Sequence, residues 1–314
     1  MEISSSQTRG CLLGALAGDR VGARAEGLQP SAVRSRYDGV KGLISTRPGN
    51  YGAATEMIVA TAESLAAAPQ FDGEDMAGRI VSGADASRGY GHGTWAAIER
   101  LRAGEWWREA AAGVGGRASF GNGAAVRCAP VGLLYGHDVE QLRWVAEEAA
   151  AITHQHALGA EGAVLQAVAV AVAALSHGQT LSGSGFLLAV GGESGLREYT
   201  SRYEGAAHMV EKDLDPRRVV DKLGNGFSAL GSVVTAAACF AREPESFEGA
   251  VALAASLGGN ATSIASMTGA IAGAYLGADA VPERWVAIAD DSAAIHVRLL
   301  GAADVLARAA GRLE

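Results

Sequence analysis

Apolar positions recur three and four residues apart along almost the whole chain, the spacing of a buried helical face. They predict helices over 7–19, 54–68, 94–103, 123–135, 139–152, 160–176, 184–191, 195–209, 216–223, 228–241, 246–257, 262–275, 282–290 and 292–313. In 54–68 the predicted inner face carries Met57, Ala60, Thr61, Ser64 and Leu65. "EPESFEGAVALAASLGG" is punctuated at both ends. Pro244 opens it, Glu245 and Glu248 sit at the positive end, and Gly258-Gly259 stop it. "SHGQTLSGSG" has no periodicity and reads as a turn. The Val-rich run 164–172 has strand-like composition, but its length and the lack of hairpin turns favour a helix. No repeat or linker divides the sequence. The expectation is one all-α domain over 1–314, an orthogonal helical bundle with its functional groups on loops and helix starts.

Composition sharpens this picture. Hydrophobic residues make up 49% and aromatics 6%, so the core must be built from Ala, Val, Leu and Ile, which suits closely packed helices. "GAVLQAVAVAVAAL" (162–175) is nearly all apolar but short for a bilayer, so it reads as a central buried helix and no membrane is expected. The net charge of −8 without a basic stripe argues against nucleic acid as a partner. Cys11, Cys128 and Cys239 are odd in number and scattered. They read as buried small hydrophobes in a reducing cytoplasm. "MEISSSQTRG" lacks an apolar run after a basic start, so no signal peptide is expected.

Several glycine-marked segments, read in order, resemble one family. "GCLLGALAGDRVGARAEG" (10–27), "RGYGHGT" (88–94), "SFGNGAAVRCAPVGL" (119–133), "ITHQH" (152–156), "SLGGNATSIASMTGAIAGAYLG" (256–277) and "VPERW" (281–285) resemble the ADP-ribosylglycohydrolases, the family of dinitrogenase reductase-activating glycohydrolase. The resemblance implies a compact helical bundle with a cleft where these loops meet. It implies hydrolysis of an N- or O-glycosidic bond of ADP-ribose on a protein side chain or a small molecule, usually with two magnesium ions.

The chain departs from the family at both metal turns. The family's Thr-Asp-Asp-Thr is matched by Gly52, Ala53, Ala54 and Thr55, and its Asp-x-Asp-Thr by Asn260, Ala261, Thr262 and Ser263. Four carboxylates are thus replaced by Ala, Ala, Asn and Thr. Magnesium needs octahedral oxygen ligation that includes carboxylates, and neutral oxygens leave most of its dehydration cost uncompensated. No magnesium centre and no other cofactor is therefore expected.

The site residues expected to remain follow from the same segments. Glu26 matches a family glutamate that reaches the metal or the reacting ribose, and is a candidate catalytic acid/base. The alternative is a surface Glu that caps a helix or pairs with Arg24. Asp19 is a candidate to bind ribose hydroxyls or to orient Glu26, and the alternative is a cap of the next turn. Ser119, Phe120, Gly121, Asn122 and Gly123 lead into a helix and are candidates to bind a diphosphate through backbone N–H groups, with Phe120 stacking on a base or ribose face. Arg127 reads as an internal ion-pair partner or a phosphate ligand. His154 and His156 are two apart and do not share a helical face, so one is expected buried and one near the cleft. His92 lies on a loop that can reach the mouth. Thr55 and Asn260 are kept as substrate-binding positions. Asp290 and Asp291 lie inside a helical pattern and point about 100° apart, which suits a solvated face better than a metal site. Asp213 and Asp215 read as the turn before a helix begun by Pro216.

Two functions remain. One is a metal-independent hydrolase of an N-glycosidic bond to ADP-ribose or phosphoribose, acting on a small-molecule metabolite through Glu26. The other is an inactive protein that binds ADP-ribose or a related nucleotide.

Overall fold

The computed structural model describes residues 3–68, 70–112, 118–212, 215–287 and 293–313. Among these residues there are helices and turns and no strand, and the one β-type contact is an isolated antiparallel bridge between Gly121 and Ser228. The all-α expectation is met. A continuous apolar core runs from Ile3 to Ala310, dominated by Ala, Val, Leu and Ile. The three cysteines are buried and unpaired.

Helix Ser5–Gly22 and helix Ala261–Leu276 make the most extensive pairing in the molecule. Its cause is a stripe of small residues. Gly10, Gly14, Gly18 and Gly22 recur every fourth residue and face Gly273, Gly269, Ala265 and Ala261. A Cβ at Gly14 would lie 2.2 Å from the Gly269 oxygen, and one at Gly18 would lie 2.0 Å from the Ala265 oxygen. The backbones meet directly, with no side chains between them. Ser4 opens helix Ser5–Gly22 with a capping box, its hydroxyl accepting from the Gln7 N–H while the Gln7 side chain accepts from the Ser4 N–H.

Helix Ala157–Leu175 crosses the middle of the core. It has 19 residues, so it is long and apolar enough to span a membrane, and the sequence-based argument from shortness does not hold. Its burial is what marks it as a core helix: 78% of its apolar window lies inside the protein. Gln166 within it donates to the Met267 carbonyl at 3.1 Å.

Some boundaries differ from expectation. The predicted helix 123–135 is two helices, Gly123–Arg127 and Ala129–Tyr135, because Pro130 cannot donate to the preceding turn and starts the second. In place of 282–290 there is one turn, Glu283–Val286, and residues 288–292, with Asp290 and Asp291, lie outside the described residues. Asp213 is also outside them, and Asp215 caps helix Pro216–Lys222 by accepting from the Arg217 N–H at 2.8 Å. Helices Pro30–Tyr37, Gly39–Ser45, Gly73–Gly83 and Trp107–Ala110 have no counterpart among the expectations. The first two bury only Val33 and Leu43, too little to leave a periodic signal.

Candidate active site

The glycine stripe delivers the first two functional side chains. Asp19 follows Gly18 on the last turn of Ser5–Gly22, and the chain then turns through 23–27 to Glu26. That loop is pinned to the start of the opposing helix, with Gly27 N–H donating to the Gly259 oxygen (2.8 Å) and Gly259 N–H to the Leu28 oxygen (2.9 Å). Gly27, Gly258 and Gly259 have φ of +72°, +64° and +60°, a region that favours glycine.

Each carboxylate closes one of the two turns that lack acids. Helix Ala53–Ala67 begins at Gly52, which has no side chain to cap it. Asp19 Oδ2 accepts from the Gly52 N–H (2.8 Å), the Thr55 N–H (3.1 Å) and the Thr55 hydroxyl (2.6 Å). Helix Ala261–Leu276 begins at Asn260, whose side chain does not cap it. Glu26 Oε2 accepts there from the Thr262 N–H (2.8 Å) and hydroxyl (2.9 Å), and Oε1 accepts from Asn260 Nδ2 (3.0 Å). Both are caps supplied from a distant part of the chain, set against the positive end of a helix. Arg24 does not pair with Glu26; its guanidinium donates to the Arg47 and Pro48 carbonyls.

Asp19 is fully buried, and its Oδ1 has no hydrogen-bond partner. Burial pushes its carboxyl up to about 6, against the lowering effect of the Thr55 and Gly52 hydrogen bonds and with a further push from Glu26. A raised folded-state value means the native protein binds this proton more tightly than the unfolded chain does. The stabilisation is therefore full below the ordinary carboxylate value and is lost as pH rises to about 6. Asp19→Asn keeps one capping oxygen and removes the titration. Its stability relative to the parent is expected to rise by ~3 kcal/mol between acidic and neutral pH. Urea denaturation of both proteins at several pH values checks this, and a pH-independent difference would rule it out.

The network continues into the loop 119–123. Asn260 Oδ1 accepts from Asn122 Nδ2 at 2.8 Å, and Asn122 Nδ2 also donates to the Ser232 hydroxyl at 3.0 Å. An aspartate at 260 could still accept from Asn122 but could not donate to Glu26. Asn122 N–H donates to the Phe227 oxygen (2.9 Å), Ala229 N–H to the Phe120 oxygen (3.0 Å) and Gly121 N–H to the Ser119 hydroxyl (3.3 Å). The loop's N–H groups at 121 and 122 are thus already used, and the helix that follows has only five residues. The diphosphate cradle expected there is correspondingly smaller, limited to the start of Gly123–Arg127. Arg127 is not a phosphate ligand and has no ion-pair partner among the described residues. It is fully buried beneath the loop, donates to the Gly123 (3.3 Å) and Ala149 (2.7 Å) carbonyls, and is lowered to about 10 by burial.

The two histidines separate. His154 is buried, with Nδ1 2.7 Å from the Thr153 hydroxyl, and burial followed by the nearby Arg127 lowers it to about 3, so its ring is neutral. A Cβ at Gly123 would lie 3.0 Å from its Cε1, so glycine lets the loop rest on the imidazole. His156 is placed outside the cavity lining. It caps helix Ala157–Leu175, its Nδ1 accepting from the Leu158 N–H at 3.1 Å, and its ring meets Phe120 edge-on. Thr55 is likewise withdrawn: it is buried behind the wall and its hydroxyl is spent on Asp19.

These groups surround a cavity of about 750 Å³, within the range of small-molecule sites. Asp19, Glu26, Ser119, Phe120, Gly121, Asn122, Gly123, His154 and Asn260 line it, together with Gly52, Ala53, Ala54, Thr262 and Ser263 from the two altered turns. His92, exposed at the first residue of helix His92–Arg102, also lines it. Sequence reasoning missed Arg88, Tyr90 and Phe227. Arg88 lies over the Tyr51 ring (3.9 Å), pairs with Glu56 at 3.7 Å and has a buried Nε without a hydrogen bond. Tyr90 donates to Glu56 at 2.7 Å. Phe227 is 67% exposed, and its ring sits 6.1 Å from that of Phe120. The motif "RGYGHGT" contained the first two, whereas nothing local marks Phe227.

The donor set does not suit two magnesium ions. Among the described residues no three His, Cys, Asp or Glu side chains cluster closely enough to hold a metal. Glu26 accepts on both oxygens, Asp19 keeps only Oδ1 free, and the Ala53 and Ala54 methyls stand where acids would be needed.

Comparison with known proteins agrees with this fold. The sequence profile described as ADP-ribosylglycohydrolase matches residues 2–313. The chain is 36% identical to ADP-ribosylhydrolase ARH3 of Mus musculus (90% of this chain, 87% of that protein) and 35% identical to ARH3 of Homo sapiens (90% and 88%). It is 33% identical to an uncharacterized protein of Archaeoglobus fulgidus (88% and 90%). A solved structure described as an ADP-ribosylglycohydrolase-related protein complex superposes with a TM-score of 0.72 at 26% identity, covering 98% of each chain. The chain belongs to the ADP-ribosylglycohydrolase family.

Proposed function

We propose that this protein hydrolyses an N-glycosidic bond to ribose, carried as ADP-ribose or phosphoribose on a small-molecule metabolite, without a metal ion and with Glu26 as acid/base. The observation that carries the reading is the way the two altered turns are closed. Asp19 and Glu26 take the helix N–H groups that the missing acids would have faced, and Glu26 remains exposed in the cavity beside the 119–123 loop. Cleavage of a ribosyl bond passes through an oxocarbenium-like state, which one positioned carboxylate can stabilise while it takes a proton from water.

The engagement of both Glu26 oxygens favours a second reading, a protein that binds ADP-ribose or a related nucleotide without turnover. Incubation with ADP-ribosyl-arginine, O-acetyl-ADP-ribose and N-ribosyl metabolites, with magnesium and with chelator, separates the two. Turnover that persists in chelator and falls by at least ~100-fold in Glu26→Gln is the expected result, the size of loss typical for an acid/base group. Binding of these compounds with no turnover of any would establish the second reading instead.

A further inference from the structure

Proton transfer needs a lone pair aimed at the proton, so the hydrogen bonds Glu26 already makes decide which of its atoms can act. A carboxylate offers about four acceptor positions, shared equally by its oxygens. Oε2 fills its share with the Thr262 N–H (2.8 Å) and hydroxyl (2.9 Å). Oε1 receives one hydrogen bond among the described residues, from Asn260 Nδ2 at 3.0 Å. The open position is therefore on Oε1, and Glu26 is exposed in the cavity lining. The hydrogen bond from Asn260 sets where that open lone pair points.

A side-chain amide presents either a donor or an acceptor, and only the donor suits Glu26. The groups behind Asn260 fix the choice. They start at the Ser228 carbonyl, which can only accept. The Ser232 hydroxyl donates to it at 2.9 Å, so Ser232 has lone pairs but no proton left for Asn122. Asn122 must then turn Nδ2 toward Ser232, at 3.0 Å, and the second proton of that nitrogen reaches Asn260 Oδ1 at 2.8 Å. This leaves Asn260 Nδ2 facing Glu26. A reversed Asn260 amide would set nitrogen against nitrogen at one end and oxygen against oxygen at the other. Ser232 and Asn122 are buried, which keeps water from competing for these bonds. The Asn260 backbone is held as well, its N–H donating to the Asn225 oxygen at 2.7 Å.

We infer, on the hydrolase reading above, that Asn260 is a positioning residue for the reaction, and that Ser228, Ser232 and Asn122 set its amide so that Glu26 Oε1 is aimed at the attacking water. In that step a water O–H bond breaks as the water oxygen bonds to the anomeric carbon. The proton goes to Oε1 and is passed on to the nitrogen, which leaves with the electron pair of the C–N bond. Among the described residues Ser232 neither bonds to Glu26 nor lines the cavity. Its influence on the reaction runs through Asn122 and Asn260.

A double-mutant cycle on kcat and KM, run in chelator with ADP-ribosyl-arginine and N-ribosyl metabolites as substrates, tests this. Asn260→Asp keeps the shape of the side chain and still accepts from Asn122, but presents an acceptor to Oε1. It is expected to lower kcat by at least ~100-fold, as for loss of the acid/base group itself. Ser232→Ala is expected to lower kcat by ~10-fold, the scale of one hydrogen bond, with KM within ~2-fold of the parent. In an Asn260→Ala background Ser232→Ala should cost nothing further, because no amide remains for it to orient. Thermal unfolding shows whether each variant is folded at the assay temperature, and the cycle decides the matter if Asn260→Asp does not fold. A parent-like kcat in Asn260→Asp, or losses that multiply in the double variant, overturns the positioning role while the parent's turnover leaves the hydrolase reading in place. No turnover by the parent overturns both.

Discussion

Gly18→Val strongly destabilises the folded state: a loss above ~3 kcal/mol is expected, beyond the usual range for overpacking because the obstacle is backbone. A Cβ there would lie 2.0 Å from the Ala265 oxygen and 2.4 Å from its carbonyl carbon, and no side chain can move aside to relieve that contact. The same holds at Gly14 against Gly269 and at Gly10 against Gly273. Domains are stable by only ~5–15 kcal/mol, so separating this helix pair consumes much of the margin. It also parts Asp19 and Glu26 from the helix starts they cap, because both carboxylates reach those starts from this pairing. Gly78→Ala is the control. Gly78 is exposed on helix Gly73–Gly83 with nothing within 4 Å of an added Cβ, so alanine there should add ~0.5–1 kcal/mol through its helix propensity. Urea unfolding of the two variants decides it. If Gly18→Val unfolds at the parent's midpoint, the close approach of the two backbones is wrong.

The four-residue glycine spacing was visible in "GCLLGALAGDRVG" and in "MTGAIAG", yet periodicity analysis registers apolar side chains and treats glycine as a stop. The helices themselves were legible where they bury a full face, as in Ala53–Ala67. They were not legible at Pro30–Tyr37 or Gly39–Ser45, where a single side chain enters the core. The site was legible in its local parts. The alternatives for Asp19 and Glu26 each included helix capping, but the helices they cap begin at Gly52 and Asn260, which lie far along the chain. Phe227 shows the limit most clearly. It reaches the cavity because Asn122 and Ala229 exchange hydrogen bonds with Phe227 and Phe120 across more than a hundred residues, and the sequence around it is an ordinary turn.

Restoring the acids should restore the metal. The variant Ala53→Asp/Ala54→Asp/Asn260→Asp/Thr262→Asp places four carboxyls beside Asp19 and Glu26 in one wall of the cavity. Six such groups cannot all ionise at close range without a cation, so the metal-free variant should be several kcal/mol less stable than the parent at neutral pH. Asn260→Asp also turns the 3.0 Å hydrogen bond to Glu26 into a contact between like charges, and Thr262→Asp removes the hydroxyl that Glu26 accepts. Magnesium reverses the sign of each term, since carboxylates that repel one another become its ligands. Ligand at about a hundred times its dissociation constant adds ~2.7 kcal/mol to a protein that binds it only when folded. The expected result is that millimolar magnesium raises the thermal midpoint of the variant and leaves the parent's unchanged, with calorimetry showing binding heat for the variant alone. The parent's neutral turns supply too little charge to dehydrate the ion. A magnesium-dependent shift in the parent comparable to the variant's would mean that Asp19, Glu26 and neutral oxygens suffice, and the chemistry assigned to this cavity would have to be rebuilt around a bound cation.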